Sequence, residues 1–166
     1  MAVEDALFTI AEMAIGVAGF SAIVGAFTGS QALTVSDRRR FVWLFTNAFV
    51  AALLAFVPVL LADAFHSDSE LWRYSSASMA GVWVFVAGAW IYGEARQQSP
   101  DGGQAKGFWQ GPIAWVPSFL NFLLQVANAL GWFWEPSAAP YIGGALVWLY
   151  AAALPFVSMV LERPEG

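Results

Sequence analysis

The chain has 166 residues, of which 59% are hydrophobic and only 11% charged, with seven Lys and Arg against twelve Asp and Glu and a net charge of −5. Its mean hydropathy is +0.61, and charged content well below the roughly 25% of soluble domains points to an integral membrane protein. The small basic supply argues against a nucleic-acid-binding face, and the absence of Cys removes disulfides, thiolate nucleophiles and Cys-based metal sites.

The opening "MAVEDALFTI" precedes an apolar run but carries Glu4 and Asp5 where a signal peptide needs basic residues, so the first segment is read as a retained helix. Stretches suited to a hydrocarbon core of about 30 Å run approximately over 6–27, 41–62, 71–92, 113–134 and 141–161. They predict one all-α domain over 1–166, a polytopic bundle of five transmembrane helices. A four-helix alternative lays the first segment in the membrane interface. With the N-terminus out and the C-terminus in, Arg38, Arg39, Arg40, Arg96, Lys106 and Arg163 lie inside and only Arg73 outside, six of the seven basic residues.

In the first helix Glu12 is the main anomaly, because an ionised side chain in mid-membrane costs at least about 2.5 to 3.5 kcal/mol. It is expected to face protein or water, either as a proton or cation site in a pathway or as a carboxyl that joins two helices. At about 100° per residue, Asp5, Thr9, Glu12, Gly16 and Gly19 share a face, and Gly16 and Gly19 are candidates for close helix packing. The "SDRRRF" turn offers Ser36 or Asp37 as a helix cap, and Arg38, Arg39 and Arg40 as a basic cluster that sets topology or meets anionic headgroups.

The second helix carries Asn47, a buried amide expected to meet Glu12 or the fourth helix. Pro58, Pro117 and Pro155 lie inside the predicted helices, where each frees the carbonyl four residues back for packing, a hinge or an ion. The outer "DAFHSDSELWRY" gathers Asp63, His66, Asp68 and Glu70. These are weak metal candidates; Ser67 with Glu70 reads more simply as a capping box for the third helix, and no metal site is expected.

In the fourth helix, "NFLLQVANALGW" places Asn121, Gln125 and Asn128 on one stripe with Ser118 and Trp132. The amides line a polar pathway or bond across a helix interface, since lipid offers no partner. Trp115, Trp132, Trp134 and Trp148 are wall candidates for an aromatic ligand cavity. No Schiff-base Lys, second His, phosphate-binding Gly loop or nucleophile elbow is present, so neither enzyme activity nor a cofactor is expected.

"IAEMAIGVAGFSAIVGAF" followed by "DRRRF" resembles the opening of small, functionally uncharacterised bacterial multi-pass proteins over roughly the first 60 residues, and it implies no activity. "LLQVANALGWFW", with five helices and many tryptophans, is similar to the tryptophan-rich sensory proteins, a family of tetrapyrrole and sterol binders. Their Lys-Pro-aromatic-x-Pro-Pro loop is replaced here by "SQALTVSDRRRF".

Three functions follow for a protein of the bacterial inner membrane. The leading one is a homo-oligomeric, channel-like bundle with Glu12 and the amide stripe on a polar pathway. The others are a ligand-binding or sensory protein with an aromatic cavity, and an accessory subunit of a larger membrane complex.

Overall fold

The computed structural model describes residues 2–28, 35–97 and 112–161. Five helices follow in order: α1 (Ala2–Thr28), α2 (Val35–Leu61) with a 3₁₀ turn at Ala62–Ala64, α3 (Asp68–Gln97), α4 (Pro112–Leu130) and α5 (Ala138–Leu161). Each is long and apolar enough to cross a membrane, and there is no strand among the described residues. Lys106 and Arg163 lie outside the described residues.

The helices start and stop for local reasons. α3 opens where the Glu70 amide donates to Ser67 Oγ at 3.3 Å, the expected Ser67 cap. α4 stops earlier than the hydropathy suggests, at Leu130 rather than residue 134. Gly131 takes φ +65°, its amide donates to Asn128 O, and the Trp132 amide reaches back to Ala127 O. Such a left-handed stop suits Gly, and it moves Trp132 and Trp134 off the helix into the α4–α5 turn. α2 begins at Val35, so Ser36 and Asp37 are inside its first turn rather than before it.

α2 and α5 form the spine. α1 packs on both from one side, while α3 and α4 pair on the other. Small residues make the close approach possible: Ala11 and Ala14 of α1, Ala51 and Ala55 of α2, and Ala145 and Ala152 of α5 are all buried. Polarity is inverted relative to a water-soluble core, since Asn47, Asn121, Gln125 and Asn128 are buried while Leu60 and Phe85 are 77% and 76% exposed. An apolar exterior of this extent marks a surface made for lipid or partners.

The internal prolines lock the spine. Pro58 of α2 and Pro155 of α5 have no N–H for the carbonyls of Leu54 and Ala151, four residues back. Each of these carbonyls accepts from the opposite helix: Tyr141 Oη of α5 donates to Leu54 O at 2.5 Å, and Trp43 Nε1 of α2 donates to Ala151 O at 3.2 Å. The two exchanges are reciprocal, so each helix repairs the other's proline.

Candidate functional site

The α4 amides lie inside the chain, where they form a seam. Asn128 uses all of its hydrogen-bonding capacity. Its Nδ2 donates to Ser76 Oγ of α3 at 2.8 Å and to Ser137 O at 3.1 Å. Its Oδ1 accepts from Trp134 Nε1 at 3.0 Å and from the Ser137 amide at 3.2 Å. One side chain thus fixes α4, α3 and the turn into α5. Gln125 Nε2 donates to Asn121 Oδ1 at 3.0 Å and to Pro140 O at 2.8 Å, while its Oε1 has no partner.

α5 reaches this seam through Gly144. A Cβ there would stand 2.5 Å from both Gln125 Nε2 and Met79 Sδ, and 2.6 Å from Asn121 Oδ1. Any side chain at 144 would have to displace these three buried side-chain ends.

Ser118 and Asn47 belong to a different place. They line a pocket with Trp43 of α2, Trp83, Val86 and Ala87 of α3, Ala114 and Trp115 of α4, and Trp148 of α5. Asn47 donates to Trp43 O at 2.7 Å and Ser118 Oγ to Ala114 O at 2.8 Å, both within their own helices. Trp43, Asn47 and Trp148 form a buried floor, with half-buried Trp83, Val86, Trp115 and Ser118 around the mouth. The Trp148 Nε1–H is buried without a partner. Trp43 and Trp115 stand 6.2 Å apart by ring centroid.

Of the four tryptophans singled out in the sequence, Trp115 and Trp148 line this pocket, whereas Trp132 and Trp134 are exposed in the turn. Sequence reasoning missed Trp43 and Trp83. The signal for Trp43 was available, because it precedes Asn47 by one helical turn and therefore shares the face that a buried amide marks.

Next to the pocket, Trp90 packs edge-on against Trp43 at 4.6 Å, and the Arg39 guanidinium lies 5.8 Å from the Trp90 ring centre. Arg38 is exposed, and buried Arg40 has Nη1 3.9 Å from Asp37 Oδ1. The basic cluster thus occupies the first two turns of α2 beside the tryptophans.

Glu12 lies on the outer face of α1 within the single chain. It is exposed, as are Asp5, Thr9, Gly16 and Gly19, and a Cβ on Gly16 or Gly19 would meet nothing within 4 Å. This face points away from α2 and α5 because Leu7, Ile10, Ala11 and Ala14 take the inward positions. Among the described residues, the hydrogen bonds of Asn47 and of the α4 seam do not involve Glu12. Asp63, His66, Asp68 and Glu70 form no group of three or more able to hold a metal ion, among the described residues.

No known protein family, curated protein or solved structure matches the chain, so function rests on the geometry.

Proposed function

We propose that this chain is an integral membrane protein, N-terminus out and C-terminus in, that binds a small apolar molecule between α3 and α4 above a floor made by α2 and α5. The observation that carries this reading is the pocket with four tryptophans, Trp43, Trp83, Trp115 and Trp148, and one unpartnered indole N–H. Sites for small molecules are concave, aromatic and set with few polar groups. A polar pathway along α4 is less favoured, since Asn128 has no capacity left for ions or water and Glu12 lies across the spine from it.

The test is photolabelling of the protein in phosphatidylcholine nanodiscs with 3-trifluoromethyl-3-phenyldiazirine. Labelling should concentrate on Trp83, Trp115 and Ser118, saturate, and be displaced by excess trifluoromethylbenzene, which lacks the diazirine. Labels spread in proportion to exposure over Phe85 and Leu60 would reject the site. Flux of protons or potassium through liposomes containing the protein would instead favour the channel. For topology, reporter fusions at Gly166 should signal only from the cytoplasmic side.

A second reading is favoured by the open α1 face. A carboxyl exposed within an apolar span is costly in lipid, and Gly16 and Gly19 leave room for another backbone. We propose that a second copy of this chain covers that face.

A further inference from the structure

The unspent polar atoms in the tryptophan pocket select among apolar molecules. None of its lining residues is titratable, and Arg39 lies over Trp90, outside the lining, so the pocket itself supplies no counter-charge and favours a neutral occupant.

One donor awaits an acceptor. Trp148 is 5% exposed and its Nε1–H has no partner, a state that costs the full desolvation of the group unless something fills it. Acceptors are present as well. Asn47 is 1% exposed and its Nδ2 donates to Trp43 O, so its Oδ1 is the atom with accepting capacity to offer. Ser118 Oγ donates to Ala114 O and keeps its accepting lone pairs.

A hydrocarbon would leave both kinds of atom unsatisfied. A ketone or ester would serve the indole but not the amide oxygen. A hydroxyl serves both, because it accepts through oxygen and donates its proton. The space agrees, for the cavity is about 20 Å³, against the roughly 10 to 15 Å³ that one water needs. A hydroxyl and its adjoining carbon fit. The rest of the molecule is left to the mouth between α3 and α4, where Trp83 stands 6.1 Å from Phe119 and Phe119 is 49% exposed.

We infer that the pocket takes the hydroxyl group of an uncharged apolar alcohol, held between Trp148 Nε1–H and the oxygens of Asn47 and Ser118, with its apolar body against Trp83 and Phe119. The inference rests on the binding function proposed above and adds the chemical class.

Two brominated probes of similar size test it. Tribromoethanol carries a hydroxyl and bromoform does not, and both quench tryptophan. In phosphatidylcholine nanodiscs, with each concentration referred to the lipid phase, tribromoethanol should quench saturably at about fivefold lower concentration than bromoform, the worth of one hydrogen bond. Trp148→Phe replaces the indole by a smaller ring without an N–H; the change in volume acts on both probes, and loss of the donor should bring the ratio of their midpoints towards one. Asn47→Ala, a second variant that does not touch Trp148, should narrow the gap in the same direction. Saturable quenching with equal midpoints for both probes in the wild-type protein would overturn the hydroxyl while the pocket stands. No saturable component with either probe would overturn both, including the case of a pocket closed by a tightly held water.

Discussion

If Pro58 makes Leu54 O dependent on Tyr141, the cost of removing the Tyr141 hydroxyl must depend on whether Pro58 is present. Tyr141 is fully buried and its hydroxyl donates to that carbonyl. In Tyr141→Phe the carbonyl has neither its helical N–H nor a side-chain donor, and a buried unsatisfied group costs about 1 to 3 kcal/mol. Interhelical hydrogen bonds within membranes average about 0.6 kcal/mol with a maximum near 1.7, so about 1.5 kcal/mol is expected. In a Pro58→Ala background the residue-58 N–H returns to Leu54 O, and the same Tyr141→Phe change should cost only about 0.5 kcal/mol. The coupling is then about 1 kcal/mol, which a double-mutant cycle resolves. The assay is reversible unfolding of detergent-solubilised protein by increasing mole fraction of dodecyl sulfate, followed by far-ultraviolet circular dichroism. An equal cost in both backgrounds, within about 0.3 kcal/mol, would refute the reciprocal arrangement and reduce Tyr141 to a packed ring.

In the same assay, Asn128→Ala removes four hydrogen bonds and should cost about 2.5 kcal/mol at about 0.6 each, while Asn121→Ala loses one and should cost about 0.6; equal losses would mean that the Asn128 network is not structural. Gly144→Ala forces a methyl against Gln125, Met79 and Asn121 and should destabilise by about 1 to 3 kcal/mol. Gly143→Ala, with nothing within 4 Å, should be neutral or stabilising by up to about 1 kcal/mol, and the reverse order would show that α5 is not seated as described. Gly16→Leu should leave the folding transition in place, because its surroundings are open, and should abolish crosslinking between copies in nanodiscs if α1 pairs with a second chain. Unchanged crosslinking there would exclude that face as the interface.

The fold was legible to the extent that one-dimensional physics decides it. Five apolar runs of spanning length become five helices, and the cap at Ser67 follows from a local pattern. Ends set by backbone conformation were less legible. "ALGWFW" stays apolar through Trp134, and only the left-handed φ at Gly131 ends α4 four residues sooner. The fates of the proline-freed carbonyls were half legible: Pro58 and Pro155 mark Leu54 O and Ala151 O as orphans, but the donors Tyr141 and Trp43 lie 87 and 108 residues from the carbonyls they serve. No local spacing couples residues at that separation.

The site was harder because hydropathy treats every polar side chain in an apolar helix as a question of the same kind. Glu12 and Gln125 both interrupt apolar runs, yet Gln125 is fully buried and Glu12 is exposed. What separates them is the company on each face. Gln125 has Asn121 and Asn128 four before and three after it, so amides recur at every turn and can bond to one another and to a crossing helix. On α1 the positions beside Glu12 are Thr9, Gly16 and Gly19, while Leu7, Ile10, Ala11 and Ala14 make the apolar stripe that meets α2 and α5. A single chain buries the larger apolar stripe first, and that choice turns Glu12 outward. The seam and the α1 face are thus opposite outcomes of one rule: polar groups go inward where the same chain supplies their partners, and stay outside where a partner has to come from elsewhere. By that rule the tryptophan pocket is the intermediate case, with the floor supplied by α2 and α5 and one indole N–H that finds no acceptor among the described residues.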